Sequence, residues 1–293
     1  MKKIVIYVWL FCRSCILKIA NRLGWHPNTM NIEQSIDCLI YEAISVSRFG
    51  DGEIMLMEGY DIAFQQCVPG LRRRLIDIAG TEINLHKVAV PNVFQILSSF
   101  NKDARDFWSR FLFWGNGIVL INKYFKKHRL YLDTNMTRFY EHLKDKSACH
   151  IYVNKWKQVW RNKDLLIIEG RGSRLGTFND LFEGAISISR IICPAENAYT
   201  YYEQIFVAAK RHAEGRLVMI ALGPTATVLA FDLAKIGIQA IDVGHIDIEY
   251  EWFRMKATHK MPVKGRYVNE ANQREVYECN NKVYLSQIVE IIE

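Results

Sequence analysis

The sequence lacks the segments that mark membrane-spanning and secreted proteins. Its longest apolar run, residues 4–12, has nine residues, whereas a helix that crosses a bilayer needs roughly twenty. No small-x-small cleavage site follows the run, so the start of the chain does not match a secretory signal. We therefore expect neither a spanning helix nor a cleaved leader.

A disulfide framework is also missing. The seven cysteines are an odd number with irregular spacing. Cys12 and Cys15 form a C-x-x-C pair, but no second pair accompanies it, which disfavours a zinc or redox role. Unpaired thiols predict a protein of the reducing cytoplasm.

Long basic runs and the common nucleotide signatures are absent too. The Lys and Arg residues are spread along the chain and give a net charge of only +7. No nucleic-acid partner is therefore expected, whereas a phosphorylated small molecule or an anionic membrane surface fits this charge. Neither a Gly-Lys-Ser/Thr loop nor a G-x-G-x-x-G motif occurs, so a nicotinamide cofactor is not expected.

What is present divides the chain into two parts of different composition. In residues 1–29, Lys2 and Lys3 precede the apolar run, more cations follow it, and Trp9 is a residue type of membrane interfaces. This pattern favours a basic amphipathic helix on the inner face of the cell membrane, and leaves open a helix packed on the protein. Residues 30–293 are predicted to form one globular domain, because half of the chain is hydrophobic and no low-complexity stretch interrupts it.

The globular part has the alternation of an α/β protein. Four short Ile/Leu/Val/Ala runs, at 165–168, 191–193, 217–222 and 240–243, are separated by stretches that can form helices. Such runs predict a Rossmann-like layered parallel sheet flanked by helices, with ligands at the carboxyl ends of the strands. In the first half we expect a helix capped by Asn31, strands at 44–49 and 87–90, helices from Pro69 and around 93–97, and mainly helix over 103–160.

The segment Ser47-Arg48-Phe49-Gly50-Asp51-Gly52-Glu53 carries the strongest candidate metal site. Glycines on both sides of Asp51 allow a sharp turn, so that the carboxylates of Asp51 and Glu53 could converge. Mg²⁺ and Mn²⁺ prefer oxygen ligands, and Mg²⁺ takes one or two protein carboxylates. The alternative is that Asp-Gly is a plain turn and that Glu53 caps the following helix.

Two glycine-containing loops follow predicted strands and could bind phosphate. Gly170, Gly172 and Gly176 allow backbone N–H groups to face an anion, with charge from Arg171 or Arg174. Gly223-Pro224-Thr225 opens a predicted helix, whose free N–H groups also favour an anion. Each loop could equally be an ordinary connection.

Residues 242–252 and 265–270 supply the candidate acids and bases. The first segment holds one histidine and several carboxylates, a density that is costly to bury unless it serves a site. A carboxylate could act as general base on a hydroxyl. The candidates are His245, Asp247, Glu249, Glu251 and, in the second segment, Glu270.

Together these motifs resemble the bacterial glycosyltransferases of the GT-D fold, a family long catalogued as a domain of unknown function. The matching segments keep their order from about residue 31 to 270. They are Ser47 to Glu53, Ser173-Arg174-Leu175-Gly176, Asn179-Asp180-Leu181-Phe182, Ile191-Ile192-Cys193-Pro194 with Asn197-Ala198, Leu222-Gly223-Pro224-Thr225-Ala226, Ile241 to Trp252, and Tyr267-Val268-Asn269-Glu270.

The resemblance implies transfer of a hexose, typically glucose from UDP-glucose, to a glycan acceptor of a surface polysaccharide or a serine-rich repeat adhesin. It implies Mn²⁺ or Mg²⁺ at Asp51 and Glu53, and Glu270 as a catalytic residue. Residues 1–29 lie outside the family pattern and point to a lipid-linked acceptor. Expected nucleotide-sugar contacts are Arg48, Gly50, Gly52, Ser173, Arg174, Gly176, Asn179, Asp180, Gly223, Pro224 and Thr225. A metal-dependent phosphohydrolase and a non-catalytic nucleotide-binding scaffold are the alternatives.

Overall fold

Strands and helices alternate along the described part of the chain, which in this computed structural model comprises residues 2–94, 97–268 and 279–293, with residues 2–4 as backbone only. The strands are β1 (Asn28–Thr29), β2 (Ser45–Arg48), β3 (His86–Val90), β4 (Leu130–Asp133), β5 (Asp164–Gly170), β6 (Ser187–Cys193), β7 (Arg216–Ala221), β8 (Ala240–Asp242) and β9 (Ile288–Ile291). The α-helices are α1 (Lys2–Arg22), α2 (Ile32–Tyr41), α3 (Asp51–Met57), α4 (Pro69–Gly80), α5 (Lys102–Ser109), α6 (Gly117–Tyr124), α7 (Cys149–Trp160), α8 (Tyr202–His212), α9 (Pro224–Lys235), α10 (Ile246–Arg254) and α11 (Lys282–Gln287).

The strands form one parallel sheet in the order β1-β4-β3-β2-β8-β7-β5-β6-β9. Each neighbouring pair runs in the same direction. The carboxyl ends of all strands therefore lie along one edge, and the loops that follow them form a continuous rim.

Two halves of the sheet meet where β2 pairs with β8, with Val46 opposite Ile241. Helix α9 packs across both strands. The backbone oxygen of Thr227 in α9 accepts a hydrogen bond from Ser47 Oγ (2.6 Å), and Thr227 Oγ1 donates to the backbone oxygen of Arg48 (2.9 Å). Ligands of open α/β sheets bind beside such a change of strand order.

The predicted parallel sheet flanked by helices is confirmed, and the four predicted strands of the second half are β5, β6, β7 and β8. The helix predicted from Asn31 is α2. Asn31 Oδ1 accepts from Gln34 N (2.8 Å), and Gln34 Oε1 accepts from Asn31 N (3.2 Å), which completes a capping box.

Two local predictions are wrong, and a third missed one strand. Residues 103–160 are mainly helical as predicted, but they also contain β4, whose four residues are too few to show alternation and become a strand because β3 pairs with them. Residues 171–186, between β5 and β6, form turns instead of a helix. At 93–97, the described residues show only the start of a 3₁₀ turn, Leu97–Ser99.

A buried ion pair explains why the loop after β5 needs no helix. Arg190 Nη1 donates to Glu169 Oε1 over 2.7 Å, and both side chains are at most 2% exposed. Glu169 Oε2 accepts from Leu175 N (2.7 Å), while Arg190 Nη2 donates to Leu175 O (2.8 Å). The pair thus fixes both polar backbone groups of Leu175.

We expect Glu169→Ala to lower the free energy of unfolding by about 3–5 kcal/mol, because it leaves the Arg190 guanidinium buried without its charge partner. Urea denaturation measures this change. As a control, Asp106→Ala removes the exposed Lys102–Asp106 pair and should change the free energy of unfolding much less, because exposed ion pairs contribute little. Equal losses for both variants would contradict the role assigned to the buried pair.

Candidate functional site

A cleft of about 480 Å³ opens along the carboxyl-terminal rim of the sheet. Its walls come from the loops after β2, β5, β7 and β8 and from helix α5. A larger groove of about 610 Å³ lies at the opposite edge, beside the amino ends of β2 and β3. We place the candidate site in the rim cleft, because parallel sheets bind ligands there and because it gathers the motifs found in the sequence.

The structure brings about half of the predicted site residues to this cleft. Those that line it are Arg48, Gly50, Asp51, Gly52, Glu53, Ser173, Gly223, His245 and Asp247. The other predicted residues are described but do not line the cleft: Arg174, Gly176, Asn179, Asp180, Pro224, Thr225, Glu249 and Glu251. Glu270 lies outside the described residues.

Asp51 and Glu53 lie in the first turn of α3, not in an irregular turn. Positions two apart on a helix do not face each other, so the convergence of the two carboxylates on one ion stays a prediction. Glu53 Oε2 accepts from Gly50 N (2.7 Å), which confirms the predicted cap. Both carboxylates nevertheless line the same cleft.

Burial and neighbouring charge perturb the carboxylates at this end of the cleft. Burial raises the pKa of Glu53 to about 7, against the opposing Gly50 N–H, and the charge of Asp242 adds to the rise. Burial also raises the pKa of Asp242, against the nearby positive charge of Arg48. Burial lowers the pKa of Arg48, whose Nη1 donates to Thr137 Oγ1 (2.5 Å). Acidic groups thus crowd around one arginine.

This set of groups fits a hard divalent cation that keeps water or phosphate ligands. No cluster of three His, Cys, Asp or Glu side chains ready to hold a metal occurs among the described residues. Mg²⁺, however, uses one or two protein carboxylates in phosphate-binding sites. Asp51 and Glu53 at the cleft wall supply that number, and the raised pKa of Glu53 is what a bound cation would lower.

Two glycines at the rim cannot be replaced without strain. Gly244 has φ +46°, and a Cβ there would lie 2.2 Å from Arg48 Nη1. Gly223 has φ +52°, and its Cβ would lie 2.6 Å from Phe64 Cε2. Because Gly244 has no Cβ, the loop after β8 can pass close to the guanidinium of Arg48. Pro224 and Thr225 are buried in the first turn of α9.

Asp247 forms hydrogen bonds that link three segments, which are α10, the loop after β5 and the loop after α10. Its Oδ1 accepts from Gly176 N (2.8 Å) and from Asn179 Nδ2 (2.8 Å), and its Oδ2 accepts from Arg266 Nε (2.6 Å). Asn179 also donates to Glu251 Oε1 (2.6 Å). Because both oxygens of Asp247 are occupied, this carboxylate positions loops and is poorly suited to take a proton.

Three other predicted residues support the walls from behind. Glu249 is fully buried, and its Oε2 accepts from Tyr140 N and Glu141 N (both 2.9 Å). Asp180 accepts from Lys157 Nζ (2.7 Å) and from the hydroxyl of Tyr250, which lower its pKa to about 2. Arg174 Nη1 donates to the backbone oxygen of Gly265 (3.0 Å).

Sequence reasoning missed the wall opposite the glycine loops. No motif or spacing marks these residues, since they come from α5, from the segment after β4 and from the loop beyond α10 and meet only in the folded chain. They combine aromatic rings with polar and charged groups. The wall includes Asp103, Phe107, Trp108, Arg138, Glu141, His142 and Lys260.

This chain is similar in sequence and in structure to known proteins. The sequence model of a family described as "Glycosyltransferase GT-D fold" matches residues 46–271. A Streptococcus gordonii protein described as a probable glycosyl transferase Gly is 41% identical over 266 residues, which are 89% of this chain and 38% of that protein. Glycosyltransferase GlyD of Streptococcus pneumoniae serotype 4 is 36% identical over 260 residues, which are 88% of this chain and 32% of that protein. The matched part of this chain thus spans about a third of each relative.

Solved structures share the whole architecture. A structure described as a new glycosyltransferase from Streptococcus sanguinis has a TM-score of 0.86 and 41% identity, and covers 92% of this chain and all of that one. A structure of the domain of unknown function 1792, described as having a distinct glycosyltransferase fold, has a TM-score of 0.87 and 38% identity. It covers 94% of this chain and all of that one. The family resemblance drawn from the motifs is confirmed.

Glu249 should make stability depend on pH. Burial raises its pKa to about 7, against the positive charge of Arg138. Its stabilising contribution is therefore full below its unfolded-state pKa of about 4.5 and is lost as pH rises through about 7. Relative to Glu249→Gln, the wild type should lose on the order of 2 kcal/mol between pH 4.5 and 8, measured by urea denaturation. The exposed Glu203→Gln is the control, and parallel pH profiles for wild type and Glu249→Gln would contradict the assignment.

Proposed function

This chain belongs to the GT-D fold glycosyltransferase family, and from that premise we propose that it transfers a hexose, with glucose as the first candidate, from a UDP-sugar to a hydroxyl of a glycan acceptor. The acceptor would belong to surface polysaccharide or glycoprotein biosynthesis. One observation carries the proposal: Arg48, Asp51 and Glu53 at the end of β2 line one cleft together with Ser173 from the loop after β5 and Gly223 from the loop after β7.

The donor end of the cleft is the one that contains α3. Mn²⁺ or Mg²⁺ held by Asp51 and Glu53 would neutralise the diphosphate and ease the departure of UDP. Arg48 adds a positive charge at the end of β2, and Gly223 keeps its loop free of a side chain where phosphate oxygens would approach. These residues bind and orient the donor, because their positions are fixed by β2, β7 and α9.

His245 is the best placed of the predicted bases that the structure describes. It lies immediately before α10 and lines the cleft. Asp247 also lines the cleft, but its two oxygens accept three hydrogen bonds, and Glu249 and Glu251 lie behind the wall. We propose that His245 takes the proton of the acceptor hydroxyl as the new glycosidic bond forms.

A cytoplasmic site of action is part of the proposal. All seven cysteines are free thiols in the structure, which is the state expected of a protein in a reducing compartment.

Binding of UDP should depend on a divalent cation and on Asp51. We expect calorimetry to show that Mn²⁺ tightens UDP binding to the wild type, and that Asp51→Asn weakens metal-supported binding by about tenfold or more, because one carboxylate ligand is lost. The exposed Asp77→Asn on α4 is the matched control. UDP binding that is the same with Mn²⁺ and with chelator would overturn the metal assignment.

Product analysis separates transfer from hydrolysis. Incubation with UDP-glucose, Mn²⁺ and candidate glycans should give a glycosylated product together with UDP, and His245→Gln should slow formation of that product while leaving UDP affinity within about threefold. Hydrolysis of the donor diphosphate without a glycosylated product would favour the phosphohydrolase.

A further inference from the structure

The second half of helix α1 docks on the rest of the protein through one face, whereas residues 5–9 are exposed on every side. Ser14 and Leu17 are buried, and Asn21 Nδ2 donates to the backbone oxygen of Phe94 (2.7 Å). These positions recur at helical spacing and place α1 against the π-helical turn Arg110–Trp114. The docked face also places the Arg13 guanidinium 3.4 Å from the backbone oxygen of Trp114.

The opposite face of α1 is apolar and exposed. Its residues are spaced by four, three, four, three and four positions, which draws one continuous stripe along a helix. The exposed fractions are large, for example 61% at Trp9, 64% at Ile16 and 82% at Leu23, just beyond the end of the helix. This outer stripe consists of Val5, Trp9, Cys12, Ile16, Ile19 and Leu23.

The charges around the outer stripe have a single sign. Residues 1–32 contain five Lys and Arg residues and no Asp or Glu. Lys18 and Arg22 are exposed beside the stripe. Long basic side chains that flank an apolar stripe can lie along it and keep their charged ends in the headgroup region of a bilayer.

We propose that α1 lies in the plane of an anionic lipid membrane, with its outer stripe at the boundary between headgroups and acyl chains. Among the described residues no helix is long and apolar enough to cross a membrane, and the docked face already fixes α1 to the protein body. A second copy of this chain is the rival occupant of the stripe. Pairing two helices that each carry only positive charges is unfavourable, whereas an anionic surface attracts them.

The position of α1 at a membrane would determine which kind of acceptor can reach the cleft. The turn Arg110–Trp114 on which α1 docks continues directly from α5, whose Phe107 and Trp108 line the cleft. Contact of α1 with lipid would therefore bring the α5 wall of the cleft close to the membrane surface. Resting on the proposed function, we infer that the acceptor is a glycan carried by a membrane lipid.

Vesicle co-sedimentation of the full chain tests the membrane contact. We expect the wild type to bind vesicles containing about a third of phosphatidylglycerol at least about tenfold more than vesicles of phosphatidylcholine alone, and to be released by salt. Ile16→Asp should reduce the bound fraction about tenfold or more, because it places a charge in the apolar boundary. Wild type that stays in the supernatant with both vesicles would overturn the proposal.

Ile186→Asp is the matched control. Ile186 is 66% exposed, against 64% for Ile16, and lies just before β6, away from α1. This variant should sediment like the wild type, and both variants should keep the wild-type melting temperature. If Ile186→Asp lowers binding as much as Ile16→Asp, the stripe is not the contact. If light scattering shows a dimer that Ile16→Asp dissociates, and vesicle binding is unchanged, a second copy covers the stripe.

A separate readout keeps this test independent of the proposed reaction. Calorimetric binding of UDP with Mn²⁺ should be equal in Ile16→Asp and the wild type, since the helix lies outside the cleft. Loss of vesicle binding with unchanged UDP binding supports the surface assignment. Vesicle binding by a protein that binds no UDP would contradict the proposed donor chemistry and would still support the membrane contact. A lipid-linked acceptor that is used no faster than its soluble glycan would overturn the acceptor inference.

Discussion

The pairing of β2 with β8 is the contact on which the rest of the structure depends. It joins the half-sheet β1-β4-β3-β2 to the half-sheet β8-β7-β5-β6-β9. The two strands pair over a short stretch, with Val46 opposite Ile241, and α9 packs against both of them. Arg48 lies at the end of β2 and is followed by α3, and Asp242 and Gly244 lie at the end of β8. Side chains from both halves line one cleft because these two strands end side by side. The packing of the sheet at this junction therefore also determines the geometry of the site.

The sequence predicted those parts of the fold in which local chemistry and tertiary contacts agree. Buried runs such as that of β5, and the cap at Asn31, are visible because composition and spacing alone specify them. Strand β4 was hidden, because four residues carry no periodicity and pairing with β3 decides their state. In the candidate site, the glycine-flanked acidic segment and the loop after β7 were foreseeable. The α5 wall was not, since Phe107 and Glu141 meet only through contacts far apart in the chain.

Glu53 shows why the structural and the functional explanation of one motif need not exclude each other. Its carboxylate accepts the Gly50 N–H and so ends the strand-to-helix turn with a satisfied backbone group. That single bond occupies part of the acceptor capacity of a carboxylate, which has about four lone-pair sites. The cap also fixes the rotamer of Glu53 and hence where its remaining acceptor sites lie. A side chain fixed in this way loses less entropy on binding a ligand than a mobile surface carboxylate would.

Several buried acids in and near the cleft are electrostatically unfavourable in their ionised form at neutral pH. Burial raises the pKa of Glu53, of Glu249 and of Asp133 to about 7 in each case, and that of Asp242 upward as well. Each of them therefore costs free energy when it ionises, although the positive charge of Arg48 opposes this cost at Asp242 and that of Arg138 opposes it at Glu249. A ligand that brings positive charge to this end of the cleft recovers part of that cost on binding. The folded protein should accordingly be stabilised by such a ligand, to an extent that grows with the logarithm of the free ligand concentration once the site is mostly filled.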